Sequence, residues 1–292
     1  MSEKVCVNGR IVDKDDAKLS VLDYGLLYGY GLFETMKAYS GVVFRMEEHI
    51  GRLATSAQEI GIELGEIQPT FKESVYKTLK ANKRGNAYVR LTVTYGTGKP
   101  RINLKEKPKP NYFIITDNLP DCAEYYRKGV KLTVSETFRQ SSRSHTPRLK
   151  TLNFLDRIIA RKEAAEKGFF DALILDEEGF IAEATTSNIF IVEGGRLATP
   201  SVDSGILRGI TRELIMGLAS EEGLEVVEGR VSLNELLESG ECFMTNTIAE
   251  VMPVVRVGDN VVGDGKPGKT TKRLHEKYKN RIEEYVNSFR HD

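Results

Sequence analysis

Four short stretches of this 292-residue chain carry residue types, in an order along the sequence, that could do chemistry on a small molecule. The first is Pro147-Arg148-Leu149-Lys150-Thr151-Leu152-Asn153-Phe154, where a lysine sits between two leucines at the end of an irregular basic segment. Partial desolvation there would lower the pKa of Lys150 and make it a usable amine nucleophile. The plainer reading is a surface lysine at a helix start, since most lysines only solvate. The second stretch is Ile181-Ala182-Glu183-Ala184-Thr185-Thr186-Ser187-Asn188-Ile189-Phe190. One carboxylate followed by small and hydroxylated residues, between apolar strands, would bring polar groups to a buried place open to a ligand. A turn-rich hairpin link is its plainer reading. The third, Gly205-Ile206-Leu207-Arg208-Gly209-Ile210-Thr211-Arg212-Glu213, is a glycine loop opening a helix. N–H groups at such a start point outward, and the helix dipole favours an anion there. Thr211 would be the N-cap or a direct phosphate ligand, although a capped helix with no ligand reads the same. The fourth, Phe243 to Pro253, runs a strand out into Thr245-Asn246-Thr247, short hydroxyl and amide donors that could equally be a polar strand end. His49-Ile50-Gly51-Arg52-Leu53 adds an arginine on a helix, by itself a solvated face.

The elements that must position these residues can be read from periodicity. Val5 to Val12 reads as a hairpin about Asn8-Gly9. Glycines 25, 29 and 31 punctuate an aromatic loop, and Phe33 to Tyr39 follows as a strand with a turn at Gly41. Met46, Ile50, Leu53, Ala57 and Ile60 recur at helical spacing, which predicts a helix over residues 46 to 60. A second helix is expected from Phe71 to Lys80, and strands from Ala87 to Tyr95 and from Tyr112 to Thr116. Lys99 to Pro110, rich in proline and basic residues, reads as an irregular loop. Asp117 to Asp121, with Pro120, is the best linker, giving a smaller part over 1–118, a link at 119–125 and a larger part over 126–292. In the larger part, strands at 130–137, 171–176, 188–192, 225–228, 242–245 and 254–256 interleave with helices at 153–167 and 211–222. A charged helix from Lys269 closes the chain. This mixture fits an α/β or α+β class.

Composition narrows the function classes. Lys plus Arg equals Asp plus Glu at 42 each, so no basic excess for nucleic acid is visible and a small ligand is expected. Three scattered cysteines, Cys6, Cys122 and Cys242, argue against a disulfide framework and fit a reducing cytoplasm. They and the four dispersed histidines also make a zinc site, or any other metal site, unexpected. The polar start lacks the apolar core of a signal peptide, and no apolar run reaches the length that spans a bilayer. A cytoplasmic protein with no membrane contact is the expectation.

Taken together and in this order, the stretches resemble the class IV (fold-type IV) aminotransferases. That family holds branched-chain aminotransferases, D-amino-acid transaminases and aminodeoxychorismate lyase. The resemblance runs from Asn8-Gly9 to the Gly263–Gly268 turn and the last helix. It implies a two-domain α/β (α+β) fold with a smaller N-terminal and a larger C-terminal domain, and pyridoxal 5'-phosphate held between them. It also implies at least a homodimer, and ping-pong transfer between amino acids and 2-oxo acids. Lys150 matches the lysine that binds the cofactor covalently and later moves the substrate proton. Glu183 matches the carboxylate facing the pyridine nitrogen, where an anion keeps the ring protonated and a better electron sink. Arg52, Thr211 and Thr247 match the phosphate-binding set, joined by the N–H groups of Ile210 and Thr211. Leu207 matches the residue packed on the ring, while Ser187, Asn188 and Asn246 belong with the cofactor set. Tyr28, Phe33, Arg90 and Arg101 are the substrate candidates, Tyr28 reaching the neighbouring subunit's site.

Within the family the motifs divide. Phe33-Glu34-Thr35-Met36-Lys37 and Asn246-Thr247-Ile248 depart from the usual Phe-Glu-Gly and Gly-Thr-Ala of branched-chain enzymes, although Tyr88-Val89-Arg90 resembles theirs. Lys150-Thr151-Leu152-Asn153 and Glu183-Ala184-Thr185-Thr186-Ser187-Asn188 sit closer to D-amino-acid transaminases and the lyase. Arg101-Ile102-Asn103 supplies the arginine, but not the histidine, of their Arg-x-His carboxylate grip. Phe154 and Leu155 stand where a tyrosine often touches the cofactor's phenolic oxygen. The resulting order is D-amino-acid transaminase, then branched-chain L-amino-acid transaminase, then the lyase, with a cofactor-binding protein lacking turnover last.

Overall fold

A computed structural model of the chain describes residues 2–102, 105, 107–141, 144 and 148–289; Asn103 and Pro147, named above, lie outside them. The chain forms two compact units. The first runs through Leu119 and also takes Leu149–Asn153 and the segment from Tyr285 onward, while the second takes 120–148 and 154–284. The larger part is therefore not one continuous stretch. Among the described residues, the strands make two sheets.

In the first unit, β1 (Lys4–Val7) and β2 (Arg10–Asp13) form the hairpin about Asn8-Gly9. The expected aromatic loop instead contains a short helix, α1 (Tyr24–Tyr28). Asp23 caps it by accepting the Gly25 N–H at 2.7 Å, and its other oxygen takes the Thr94 hydroxyl at 2.8 Å. β3 (Gly31–Tyr39) and β4 (Val42–Val43) precede α2 (Met46–Glu59) and α3 (Phe71–Ala81), followed by β5 (Ala87–Thr94) and β6 (Asn111–Asp117). The sheet order is β2-β1-β6-β5-β3-β4, antiparallel throughout. Met46, Ile50, Leu53 and Ala57 bury one face of α2, as their spacing predicts, and that face packs on β3.

In the second unit, α4 (Ala123–Lys128) begins inside the expected link at 119–125 and runs past it. β7 (Val130–Gln140), α5 (Leu155–Glu166), β8 (Asp171–Asp176), β9 (Ile181–Ala184), β10 (Asn188–Glu193) and β11 (Arg196–Pro200) follow. Then come α6 (Ile210–Glu221), β12 (Glu225–Gly229), α7 (Leu233–Glu238), β13 (Glu241–Asn246), β14 (Glu250–Val257), β15 (Asn260–Val261) and α8 (Lys269–Ser288). The sheet order is β12-β11-β10-β13-β14-β7-β8-β9, with β15 paired to β14. Its pairs β11/β12, β14/β7 and β7/β8 are parallel and the rest antiparallel. β8 and β9 are buried along their whole length, so neither shows the alternation of a half-exposed strand. No helix among the described residues is long and apolar enough to cross a membrane.

Two helix starts differ from expectation. α5 begins at Leu155 rather than 153, because the stretch from Lys150 to Leu152 is paired to the start of β3. The Phe33 N–H donates to the Lys150 carbonyl at 2.9 Å and the Leu152 N–H to the Gly31 carbonyl at 3.0 Å, a bridge pairing Leu32 with Thr151. The N-cap of α6 is Gly209, not Thr211, so Thr211 is already helical.

Gly31 makes the bridge possible. A Cβ there would lie 2.6 Å from the Val93 carbonyl oxygen and 2.7 Å from Leu152 Cδ1. Gly31→Ala is therefore expected to cost about 1–3 kcal/mol by overpacking and to push the Lys150 segment off β3. Thermal or denaturant melting measures the cost; an unchanged midpoint would show that this approach is not tight.

Candidate functional site

The first unit gathers an amine, two arginines and a buried carboxylate around β3. Lys150, half-buried at the bridge, has its Nζ 4.8 Å from the centre of the Phe33 ring, and the Arg90 guanidinium lies 3.7 Å from the same ring. Arg90 Nε also donates to the Thr92 hydroxyl at 3.2 Å, one step along the same face of β5. Glu34, next to Phe33 and so on the other face of β3, is 1% exposed. It accepts from Arg52 Nε at 2.8 Å and Nη2 at 2.7 Å, and pairs with His49 Nδ1 at 2.7 Å. Arg52 thus presents its guanidinium as a fork fixed by a carboxylate, an oriented donor for an anion.

Two substrate candidates are bound up with a loop instead. The Tyr28 hydroxyl donates to the Pro100 carbonyl at 2.9 Å, and Arg101 is exposed, its carbonyl taking the Tyr24 hydroxyl at 2.9 Å.

The second unit gathers the other candidates. Glu183, in β9 and 3% exposed, accepts from Arg157 Nη2 at 2.6 Å and Gln140 Nε2 at 3.3 Å through Oε1. Its Oε2 takes Asn188 Nδ2 at 3.4 Å and the Leu207 N–H at 3.3 Å. Asn188 also donates to the Leu207 carbonyl at 2.9 Å, so it ties the glycine loop to the carboxylate. A Cβ on Gly209 would lie 2.1 Å from Asn188 Oδ1, which explains glycine at this cap. No side chain caps the start of α6, where Ile210 and Thr211 are buried. Ser187 Oγ accepts from Asn246 Nδ2 at 2.8 Å, and Asn246 Oδ1 takes the N–H groups of Ile248 and Ala249, which shapes the turn holding half-buried Thr247. Thr245 pairs in register with Asn188, so the two side chains share a sheet face, and its buried hydroxyl has no hydrogen-bond partner among the described residues. Behind Glu183, the Thr185 hydroxyl donates to Asp171 Oδ1 at 2.5 Å, and Arg161 reaches Asp171 Oδ2 at 3.0 Å. Burial pushes the Asp171 carboxyl up, against the pull of Arg161.

A buried carboxylate, a helix start without a side-chain cap and an orphaned hydroxyl fit a ligand with a cationic ring nitrogen and an anionic group. Glu34, His49, Gln140 and Arg157 were not among the sequence candidates. His49 and Arg52 one turn apart on α2 were visible as a pair. Arg157 showed nothing beyond a basic residue early in a helix.

The sequence model of the family described as "Amino-transferase class IV" matches residues 31–257. The chain is a class IV aminotransferase. It is 40% identical to a Methanocaldococcus jannaschii protein named "Putative branched-chain-amino-acid aminotransferase", over 94% of this chain and 95% of that one. It is 33% identical to the aminodeoxychorismate lyase of Bacillus subtilis, over 97% and 96%, and 30% identical to the D-alanine aminotransferase of Bacillus licheniformis, over 96% and 97%. Among solved structures it resembles the branched-chain amino acid aminotransferase of Escherichia coli with a TM-score of 0.91, at 30% identity and covering 96% and 94% of the two chains. The T.th. branched-chain amino acid aminotransferase complexed with N-(5'-phosphopyridoxyl)-L-glutamate gives 0.88, at 29% identity and covering 95% and 93%. The fold is that of fold-type IV enzymes, and the cofactor of this class IV aminotransferase is pyridoxal 5'-phosphate.

The Glu34 cluster gives the enzyme a pH signature. Burial alone would raise the Glu34 carboxyl, but Arg52 and His49 draw it from its ordinary 4.5 down to about 2. Burial, helped by Arg52 and Lys150, holds His49 below its ordinary 6.5 against the pull of Glu34. In both windows the unfolded chain binds more protons, so stability is lost as the pH falls. Melting of the purified protein should start to decline below pH 6.5 and lose the Glu34 contribution between 4.5 and about 2. Glu34→Gln should flatten that lower limb; an unchanged slope would remove Glu34 from the account.

Proposed function

We propose that this aminotransferase moves the amino group of an α-amino acid to a 2-oxo acid with Lys150 as its acid–base group and Arg90 as the anchor of the substrate carboxylate. The observation that carries this is the Phe33 ring, with the Lys150 ammonium at 4.8 Å and the Arg90 guanidinium at 3.7 Å. A proton carrier and a carboxylate donor packed on one apolar ring suit a substrate whose acidic Cα–H and carboxylate are neighbours. Bound pyridoxal phosphate supplies the electron sink that makes that Cα–H acidic. Lys150 would join the cofactor, then take and return the Cα proton on Nζ. Glu183 would face the ring nitrogen, and Leu207, fixed by Asn188, would pack on the ring. The start of α6 at Ile210 and Thr211, with Thr247 and Arg52, would hold the phosphate, and Ser187 and Asn246 would keep their turns in shape. We extend the proposal to a homodimer, with Tyr28 at the end of α1 and Arg101 on the loop that Tyr28 bonds belonging to the subunit contact.

Two substrate classes have support. The motifs around Lys150 and Glu183 favour D-amino acids. The relative at 40% identity, with Tyr88 and Arg90 on one face of β5, favours branched-chain L-amino acids. Arg101 is exposed and residue 103 is an asparagine, so the Arg-x-His grip of the D-enzymes lacks support here. We therefore rank L-branched-chain donors ahead of D-amino acids, reversing the motif-based order. L-leucine, L-glutamate, D-alanine and D-glutamate, each offered with a 2-oxo acid, should shift the cofactor absorbance with the L-forms only. Turnover of the D-forms alone restores the D-reading, and turnover of aminodeoxychorismate alone moves the protein to the lyases.

Lys150→Ala should abolish the absorbance band of covalently held cofactor and lower turnover by at least about 10²–10⁴-fold; a retained band would mean that another lysine is used. Arg90→Ala should reduce kcat/KM roughly 30-fold, equivalent to about 2 kcal/mol, and mainly through KM. A wild-type KM in that variant would remove Arg90 as the anchor.

A further inference from the structure

We propose that Arg157 is a positioning residue for the cofactor ring: it clamps Glu183 by one oxygen and leaves the other oxygen for the ring nitrogen. This rests on the assignment of Glu183 to that nitrogen. Arg157 lies in the first turn of α5, seven residues after Lys150, with its side chain 15% exposed. Its Nη2 reaches Glu183 Oε1 at 2.6 Å and Gln140 Oε1 at 3.0 Å. Its Nη1 reaches the carbonyls of Thr185 at 3.1 Å and Ala184 at 3.4 Å, the residues that follow Glu183. Gln140 closes the ring of contacts by donating to Glu183 Oε1 at 3.3 Å and to the Gly205 carbonyl in the glycine loop.

The two carboxylate oxygens are therefore unequal. Among the described residues, Oε1 receives a short charge-assisted bond and a second donor, and Oε2 receives two long contacts, from Asn188 Nδ2 and the Leu207 N–H. A carboxylate oxygen offers about two acceptor directions, and long contacts fill them poorly. Oε2 is the oxygen with capacity for a strong donor, and a protonated ring nitrogen is one. Arg157 also supplies the counter-charge that a buried carboxylate needs. With the guanidinium on its far oxygen, Glu183 keeps its near oxygen for the proton of the ring nitrogen.

Outer partners of this kind commonly carry about 10–100-fold in ligand affinity or activity. Apoprotein titrated with pyridoxal phosphate, and the ¹⁵N resonance of ring-labelled cofactor in the holoprotein, test the role without relying on turnover. Arg157→Met should weaken cofactor binding about 10–100-fold and move the ring nitrogen from its protonated toward its unprotonated resonance. Arg157→Lys restores the charge but not the fork, so it should keep the protonated resonance while losing part of the affinity. Arg161→Met on the same helix removes the Asp171 ion pair without touching Glu183, and should move neither readout. Wild-type affinity and resonance in Arg157→Met, or a Lys variant indistinguishable from the Met variant, would overturn the inference. Glu183→Gln separates the two levels. If it too leaves the resonance in place, the assignment of Glu183 fails; if it alone moves the resonance, only the role of Arg157 fails.

Discussion

Everything proposed for Lys150 depends on two backbone hydrogen bonds. The Phe33 N–H and the Lys150 carbonyl, with the Leu152 N–H and the Gly31 carbonyl, add a short extended segment to the start of β3. A lysine on a loop samples many positions, and its four-carbon stem carries about 2 kcal/mol of rotamer entropy. Pinned at its own carbonyl to the residue whose ring it overlies, Lys150 has a defined origin for its side chain. The same strand holds Glu34, and through it Arg52 and His49, so the register of β3 sets the amine and the arginine fork together. Slipping that register by one residue would exchange the faces of Phe33 and Glu34 and separate both groups from their partners.

Each unit buries a candidate-site carboxylate against an arginine. Glu34 meets Arg52 through two nitrogens and adds His49; Glu183 meets Arg157 through one and adds Gln140. The difference has chemical consequences. A carboxylate held by short charge-assisted bonds on both oxygens, as Glu34 is, fixes its partner in place. A carboxylate saturated on one, as Glu183 is, retains an acceptor. The number of fork contacts separates a group that orients an arginine from a group that an arginine orients.

The sequence showed the large periodic elements well, because amphipathic α2 and α3 and the strands β3, β5, β6 and β8 carry their pattern in their own residues. It hid those whose stability comes from elsewhere. β9 is an Ile-Ala-Glu-Ala strand buried end to end, and a charge in such a strand is tolerable only because Arg157 arrives from α5. α1 depends on Asp23 being fixed from β5, and the extended Lys150 segment depends on β3. The four motifs fared the same way. Lys150 and Glu183 were legible as residues, since each stands alone among apolar neighbours. Their partners Phe33, Arg90, Arg157 and Gln140 are distant in sequence and of ordinary type, so nothing local marked the pairings. Gly209 was legible as a glycine but not as the cap, because its reason is the Asn188 side chain behind it.

The energetics explain why such pairs persist. Desolvating two charges costs several kcal/mol per ion, and a well-packed apolar pair would often be as stable or more so. Neither the Glu34 nor the Glu183 pair is therefore accounted for by stability. What an apolar replacement could not reproduce is an oriented guanidinium at Arg52 or an anionic oxygen at Glu183, each ready before a ligand arrives. Preorganisation of this kind moves the reorganisation cost from the binding step to folding. Asp171 continues the logic one layer further out. Its bond to the Thr185 hydroxyl fixes the turn behind Glu183, so the carboxylate that would face the cofactor is braced from its own strand, from α5 through Arg157 and from β8 at once.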